Sequence, residues 1–228
     1  MADIIDSIEF SPLNTLGEDG IHQALKIYED SFPLEERVPS QNLLKAIHKP
    51  DPRGSHLLHY QAMLAGKSVL GIGFISYDKP CRLGFLEYLA VRSDIRSSGL
   101  GSRFYQDLVE LVKKDGLSSK KGPALGLVLE VERPEEAQSE AERSLRTRRI
   151  GFYKRNGAVQ VPHLNLTAPP LHPGAPPVPY HILLHPLKEL RWSRLLIEAV
   201  VATILGHGYG LAVNDPYYQA ALQSIDLA

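Results

Sequence analysis

Arg96, Gly99 and Gly101, spaced Arg-x-x-Gly-x-Gly, are the residues of this 228-residue chain best suited to hold a phosphate. The first N–H groups of a helix have no intrahelical partner, and the helix dipole places positive charge there. Glycines at such a point lack the Cβ that would keep a phosphate off the backbone. Arg96 adds a fixed charge and a donor fork that matches phosphate oxygens. Carboxylates stand in strand-like runs on either side, Glu87 before the glycines and Glu130 with Glu132 after them. A carboxylate facing a cleft can take a proton from a nucleophile. His56, His59, His181 and His185 are scattered without the spacing of a metal site, and no metal is expected.

These groups need elements to position them. Leu86, Leu89, Ala90 and Val91 form a short apolar run, and Leu100, Phe104, Leu108, Leu111 and Val112 follow at helical spacing. The glycines therefore sit in a strand-to-helix turn. A P-loop would carry a Lys after its second glycine and a dinucleotide fingerprint a third glycine, and this turn has neither. Upstream, a first strand is expected over 7–13. Helices over 21–32 and 41–48 follow, the second capped by Ser40, with a charged turn holding Glu35 and Glu36 between them. After a loop at 51–54, runs over 55–64, 68–77 and 82–91 read as an antiparallel meander. Downstream come a polar loop over 113–122, an apolar strand over 125–131, and a charged helix over 139–156 that Gly157 ends. Residues 162–179 hold seven prolines and read as an ordered loop between strands beginning near Ala158 and Tyr180. A helix of few charges over 187–205 would either cover the sheet or form a dimer contact, and the dimer contact is favoured. A last helix starts at Pro216, with Asp215 as its cap.

Composition narrows the class. Hydrophobic residues make up 43% and charged residues 22% of the chain, as in ordinary globular proteins. Twenty-five basic against 26 acidic residues give a net charge of −1, which argues against nucleic-acid binding driven by bulk charge. A single cysteine, Cys81, excludes an internal disulfide and fits a reducing compartment. The first residues show no charged-then-apolar leader, and the most apolar run, 195–205, is too short for a membrane span and contains Glu198. A cytoplasmic location is the expectation, with no membrane partner.

The pattern Arg96 to Gly101, directly after a strand ending Leu89-Ala90-Val91, resembles the acetyl-CoA pyrophosphate loop of the GNAT superfamily of N-acetyltransferases. Residues 149–158, with the aromatic pair Phe152-Tyr153 ahead of Asn156-Gly157-Ala158, resemble that superfamily's second signature, although Gly-Phe is commoner there than Gly157-Ala158. Both stand in the family's order with an apolar strand between them, and the resemblance covers residues 7–186. It implies an α+β GNAT fold: a mixed, mostly antiparallel central sheet flanked by helices. The acetyltransferase domain would span 1–186 and a C-terminal helical extension 187–228.

The resemblance also implies roles. Backbone groups of Leu89, Ala90 and Val91 would pair with the pantetheine arm. Arg96, Ser97, Ser98, Gly99, Leu100, Gly101 and Ser102 would hold the pyrophosphate, with Asn156 contributing to the cofactor site. Tyr153 would protonate the departing CoA thiolate, and Glu87 would serve as general base, often through water. Apart from the resemblance, the arginines of the charged helix, Arg143, Arg146, Arg148 and Arg149, form a basic face that is solvated, pairs with Glu140 and Glu142, or contacts the CoA 3′-phosphate. The implied activity is transfer of an acetyl group from acetyl-CoA to an amine, of a small molecule or of a protein N-terminus or lysine. The alternative is a non-catalytic acyl-CoA sensor on the same fold. The strand and loop together also resemble the diamine acetyltransferase branch.

The chemistry has its own requirements. A primary amine must lose a proton before it attacks a thioester carbonyl, and a carboxylate can accept that proton. Glu130 is a second candidate for the role; it shares one face of its strand with Glu132 by the period of two. The tetrahedral intermediate carries an oxyanion that a free backbone N–H can stabilise. Lined by Glu35, Glu36, Glu87, Glu130 and Glu132, a cleft would favour a cationic acceptor.

Overall fold

A computed structural model describes residues 8–48, 56–96 and 98–226. Eight strands make one sheet: β1 (Ile8–Pro12), β2 (His56–Ala65), β3 (Ser68–Asp78), β4 (Leu83–Val91), β5 (Gly126–Glu132), β6 (Val159–Gln160), β7 (Leu166–Ala168) and β8 (Val178–Pro186). Their order is β1-β2-β3-β4-β5-β8-β6, with β7 also on β8. Among the described residues only β4 and β5 run parallel; the other neighbours are antiparallel. The helices are α1 (Glu18–Ser31), α2 (Ser40–Ile47), α3 (Leu100–Ser118), α4 (Glu140–Arg155), α5 (Arg194–Val201) and α6 (Pro216–Gln223). Among the described residues, no helix is long and apolar enough to cross a membrane.

The alternation of side chains along each strand sorts the helices into two layers. On one face, Leu86, Leu127, Leu129 and Val131 meet Phe104, Leu108 and Val112 of α3, with Ile150, Phe152 and Tyr153 of α4 packed against them. On the other face, Ile72, Phe74 and Ala90 meet Ala24, Ile27 and Tyr28 of α1. Beside them Phe85, Val128, Ile182 and Leu184 meet the C-terminal segment through Ile197, Val200, Ile204 and Leu205.

Three sequence expectations change. Helix α3 runs on to Ser118, through the first half of the expected 113–122 loop, because Gly116 seats the helix against Ala124: a Cβ there would stand 2.1 Å from the Ala124 nitrogen. The expected helix over 187–205 starts only at Arg194, where the Ser193 hydroxyl accepts the Leu196 N–H as an N-cap. It continues as a π-helix over Ala202–Gly208. Much of its apolar face is buried on the sheet of its own chain, while Leu195 is 78% exposed. Ser40 is the first helical residue of α2 rather than its cap, and its hydroxyl meets Glu29 and Arg37. The 162–179 segment is ordered and contributes β7, and the loop expected at 51–54 lies outside the described residues.

Candidate active site

The parallel pair is the centre of the site. β4 and β5 stay in register from Leu83–Gly126 to Leu86–Leu129 and then part, although β4 continues to Val91 and β5 to Glu132. The parting opens a cleft of about 850 Å³ that reaches both faces of the sheet. Leu89, Ala90 and Val91 line it from the β4 side, with Leu129 to Glu132 opposite. Backbone groups that a continuous ladder would pair instead face the opening.

Glu87 and Glu130 are the first residues past the last β4–β5 pair, one on each strand. Glu87 also occupies a bulge: Phe74 faces Tyr88 and Ile75 faces Leu86, which leaves Glu87 as the extra residue. A bulge re-aims its side chain. Glu87 reaches solvent through the cleft, yet the protein around it pushes its pKa up, an effect that the nearby Ser76 hydroxyl offsets in part. Glu130 is more enclosed. Its Oε2 accepts the Tyr209 hydroxyl at 3.0 Å, while its Oε1 is buried without a hydrogen-bond partner. Burial pushes its pKa up to about 8, against the bond from Tyr209. Glu132, on the same strand, is held by Arg146 at 2.8 Å and Arg149 at 2.9 Å. Two guanidiniums make it a tether of α4 to β5, and they are half of the expected basic face.

On the α3 face stands the glycine turn. Gly99 is the N-cap of α3 in the left-handed region at φ 84°, and the space where its Cβ would project is open. Its carbonyl accepts the N–H groups of Ser102 and Arg103, which closes the first helical turn. The Ser98 hydroxyl donates to the Ile95 carbonyl and fixes the approach. Arg96, Gly99, Gly101 and Ser102 line the cleft. Leu100 turns its side chain into the core, which leaves only its backbone for a ligand. Ser97 lies outside the described residues, as does the side chain of Glu35.

Tyr153 and Phe152 wall the cleft from α4, stacked edge-on and backed by Tyr105. Burial pushes the Tyr153 hydroxyl up to about 12, with Arg149 working against the shift. It therefore keeps its proton at neutral pH. Asn156 is placed differently from the expectation. It ends α4, its amide donates to the Phe152 carbonyl at 2.9 Å, and it is not among the residues lining the cleft. Its side chain satisfies a carbonyl at the helix terminus.

The opposite mouth of the cleft is aromatic and acidic. Phe32, Glu36 and Val38 come from the α1–α2 turn, Tyr88 from β4 and Tyr180 from β8. The Tyr88 hydroxyl donates to the Glu36 carbonyl and accepts the Val38 N–H, both at 3.3 Å, so it ties the turn to the sheet. Tyr209 completes this mouth, and sequence reading missed it. Its only signal was an isolated aromatic in a Gly-x-Gly-Tyr-Gly break, with nothing in the chain order to place it near β5.

No protein-family model matches the sequence, and no curated protein matches it. Solved structures do resemble it. A GNAT-family protein from Bacteroides thetaiotaomicron superposes with a TM-score of 0.66 at 22% identity, over 90% of this chain and 99% of that one. A phosphinothricin acetyltransferase of the GNAT superfamily from Sinorhizobium meliloti, solved with AcCoA, gives 0.54 at 12% over 80% of this chain and 90% of its own. A ribosomal-protein-alanine N-acetyltransferase from Brucella melitensis gives 0.53 at 15% over 78% and 99%.

Proposed function

We propose that this chain, which has the GNAT fold, moves an acetyl group from acetyl-CoA to a primary amine. The observation that carries the reading is the parted β4–β5 pair, with a glycine-opened helix N-terminus on one side of the cleft and two carboxylates at the point of parting. Acetyl transfer by solved structures of the same fold supports it. The pyrophosphate lies against Gly99, Gly101 and Ser102 with Arg96 beside it, and the pantetheine arm adds to the free edge of β4 at Leu89, Ala90 and Val91. Glu130 takes a proton from the incoming ammonium group, with Glu87 across the parting as a second acceptor. The amine nitrogen attacks the thioester carbonyl, a C–N bond forms, the nitrogen of the tetrahedral adduct passes its second proton to Glu87, and the C–S bond breaks. Tyr153 gives its proton to the departing thiolate and regains one from solvent.

Calorimetric titration with acetyl-CoA tests this reading. Wild type should bind at micromolar Kd and Arg96→Glu should not; Arg96 is exposed on a turn, so the change leaves the core alone. Tyr153→Phe should keep binding while thiol release on an amine panel falls by about 10²-fold or more. No binding by wild type would sink the proposal. Binding without turnover in wild type would leave the sensor reading.

A further inference from the structure

Helix α5 passes into a π-helix over Ala202–Gly208, and the change of winding has a structural result. Gly208 lands on Phe85 of β4, so close that a Cβ would stand 2.5 Å from the ring. The next residue, Tyr209, is thereby aimed through the parting of the sheet at Glu130. π-helical turns commonly mark sites where a side chain must be re-aimed. Tyr209, Tyr180 and Tyr88 lie close enough to Glu130 for its charge to raise the pKa of all three hydroxyls, after the larger effect of burial. Tyr88, Tyr180 and Tyr209 line the cleft together with Glu130, whose carboxylate has one oxygen bonded to Tyr209 and the other buried and unpartnered.

The same mouth is roofed. Leu171, from the proline-rich segment, lines the cleft, and neighbouring His172 bonds the Arg37 carbonyl at 3.0 Å through Nε2. That bond joins the segment to the α1–α2 turn across the acceptor side. The turn, the proline-rich segment and the π-helix each line that mouth, which favours a compact amine over an extended backbone.

We infer that Tyr209 is the acceptor-selecting residue, and that the acceptor is a compact primary ammonium compound rather than a protein terminus. The ammonium group sits among the Tyr88, Tyr180 and Tyr209 rings and donates to the free Glu130 oxygen. Ring faces attract cations, and a desolvated carboxylate lacking a partner is completed by a donor. Tyr209 acts twice, as a wall of the cage and as the donor that orients Glu130. This rests on the proposed acetyl transfer, but it has a test that does not.

Butylammonium, phenethylammonium and the neutral isostere phenethyl alcohol are titrated into the protein without acetyl-CoA, followed by NMR. The two ammonium ions should bind, and the alcohol at least about tenfold more weakly. Glu130→Gln should abolish the preference. Tyr209→Phe should weaken ammonium binding by about fivefold to tenfold while acetyl-CoA binding is unchanged. Leu195→Ala, on the exposed side of the same helix, should change nothing. In turnover, both small amines should exceed an unblocked tetrapeptide in kcat/KM, and Tyr209→Phe should raise KM for the amine more than it lowers kcat. Equal binding of the alcohol, an unaltered Tyr209→Phe protein, or a preferred tetrapeptide would overturn the inference. Failure of acetyl-CoA binding would sink the transfer reading instead and leave the ammonium titration standing.

Discussion

At the scale of single residues, the site divides into groups that keep a proton and groups that must lose one. Tyr153, pushed up to about 12, stays a donor at neutral pH. Glu130, pushed up to about 8, holds a proton in the empty site at neutral pH and must release it before it takes one from an ammonium group or pairs with one. The Glu130 shift has a consequence for stability. Its ordinary value is 4.5, so between that pH and about 8 the folded chain holds a proton that the unfolded chain has released. Stability from this group is complete below pH 4.5 and declines as pH rises through about 8. Glu130→Gln has no such loss. Thermal melts should show its Tm gaining on wild type from pH 5 to pH 9, and a difference that stays constant across that range would refute the shift. Glu87, Glu130, Tyr153 and the glycine turn were legible because their types and order suffice to suggest chemistry. Glu132 and Asn156 have partners in the fold that their types and order did not reveal, for a shared reason. A sequence shows which groups could reach a cleft, but not which are already occupied by Arg146 and Arg149 or by the Phe152 carbonyl.

At the scale of elements, periodicity located the strands of the meander to within a residue or so, because β2 to β4 each bury a face and carry turn residues between them. It erred where a glycine had two meanings. Gly116 reads as a breaker, since glycine in a helix interior costs about 1 kcal/mol against alanine. Here contact with Ala124 outweighs that preference. Gly116→Ala should therefore lose stability despite the better propensity. A Cβ 2.1 Å from a backbone nitrogen puts the cost at the upper end of overpacking, about 3 kcal/mol, so with about 1 kcal/mol regained in propensity the net loss should be about 2 kcal/mol, seen as a Tm lowered by several degrees. An unchanged or raised Tm would mean that the helix can slide off Ala124. The π-helix lay beyond reach for a different reason: it depends on how Gly208 fits Phe85, a contact between distant parts of the chain.

At the scale of the whole molecule, the C-terminal segment is part of the fold's second layer. Ile197, Val200, Val201, Ile204 and Leu205 are fully buried on the sheet, and Thr203 bonds the buried Asp78 of β3 at 3.3 Å. Hydrophobic content showed that such a segment needs cover, but two surfaces could supply it, and only the packed structure shows that the sheet does. Its position also brings Tyr209 into the cleft, so the extension and the core share one site.

The parted strands, finally, make the sheet a partition with a window in it. In the proposed transfer the thioester arrives from the α3–α4 side and the amine from the side of α1 and the π-helix, so neither substrate stands in the other's path. Both must occupy the window together for the nitrogen to touch the carbonyl carbon, and no side chain need carry the acetyl group between two half-reactions. Initial rates measured against both substrates should then give double-reciprocal lines that intersect. Parallel lines would mean that the acetyl group rests on the protein before the amine arrives, a route for which a window open to both sides has no need.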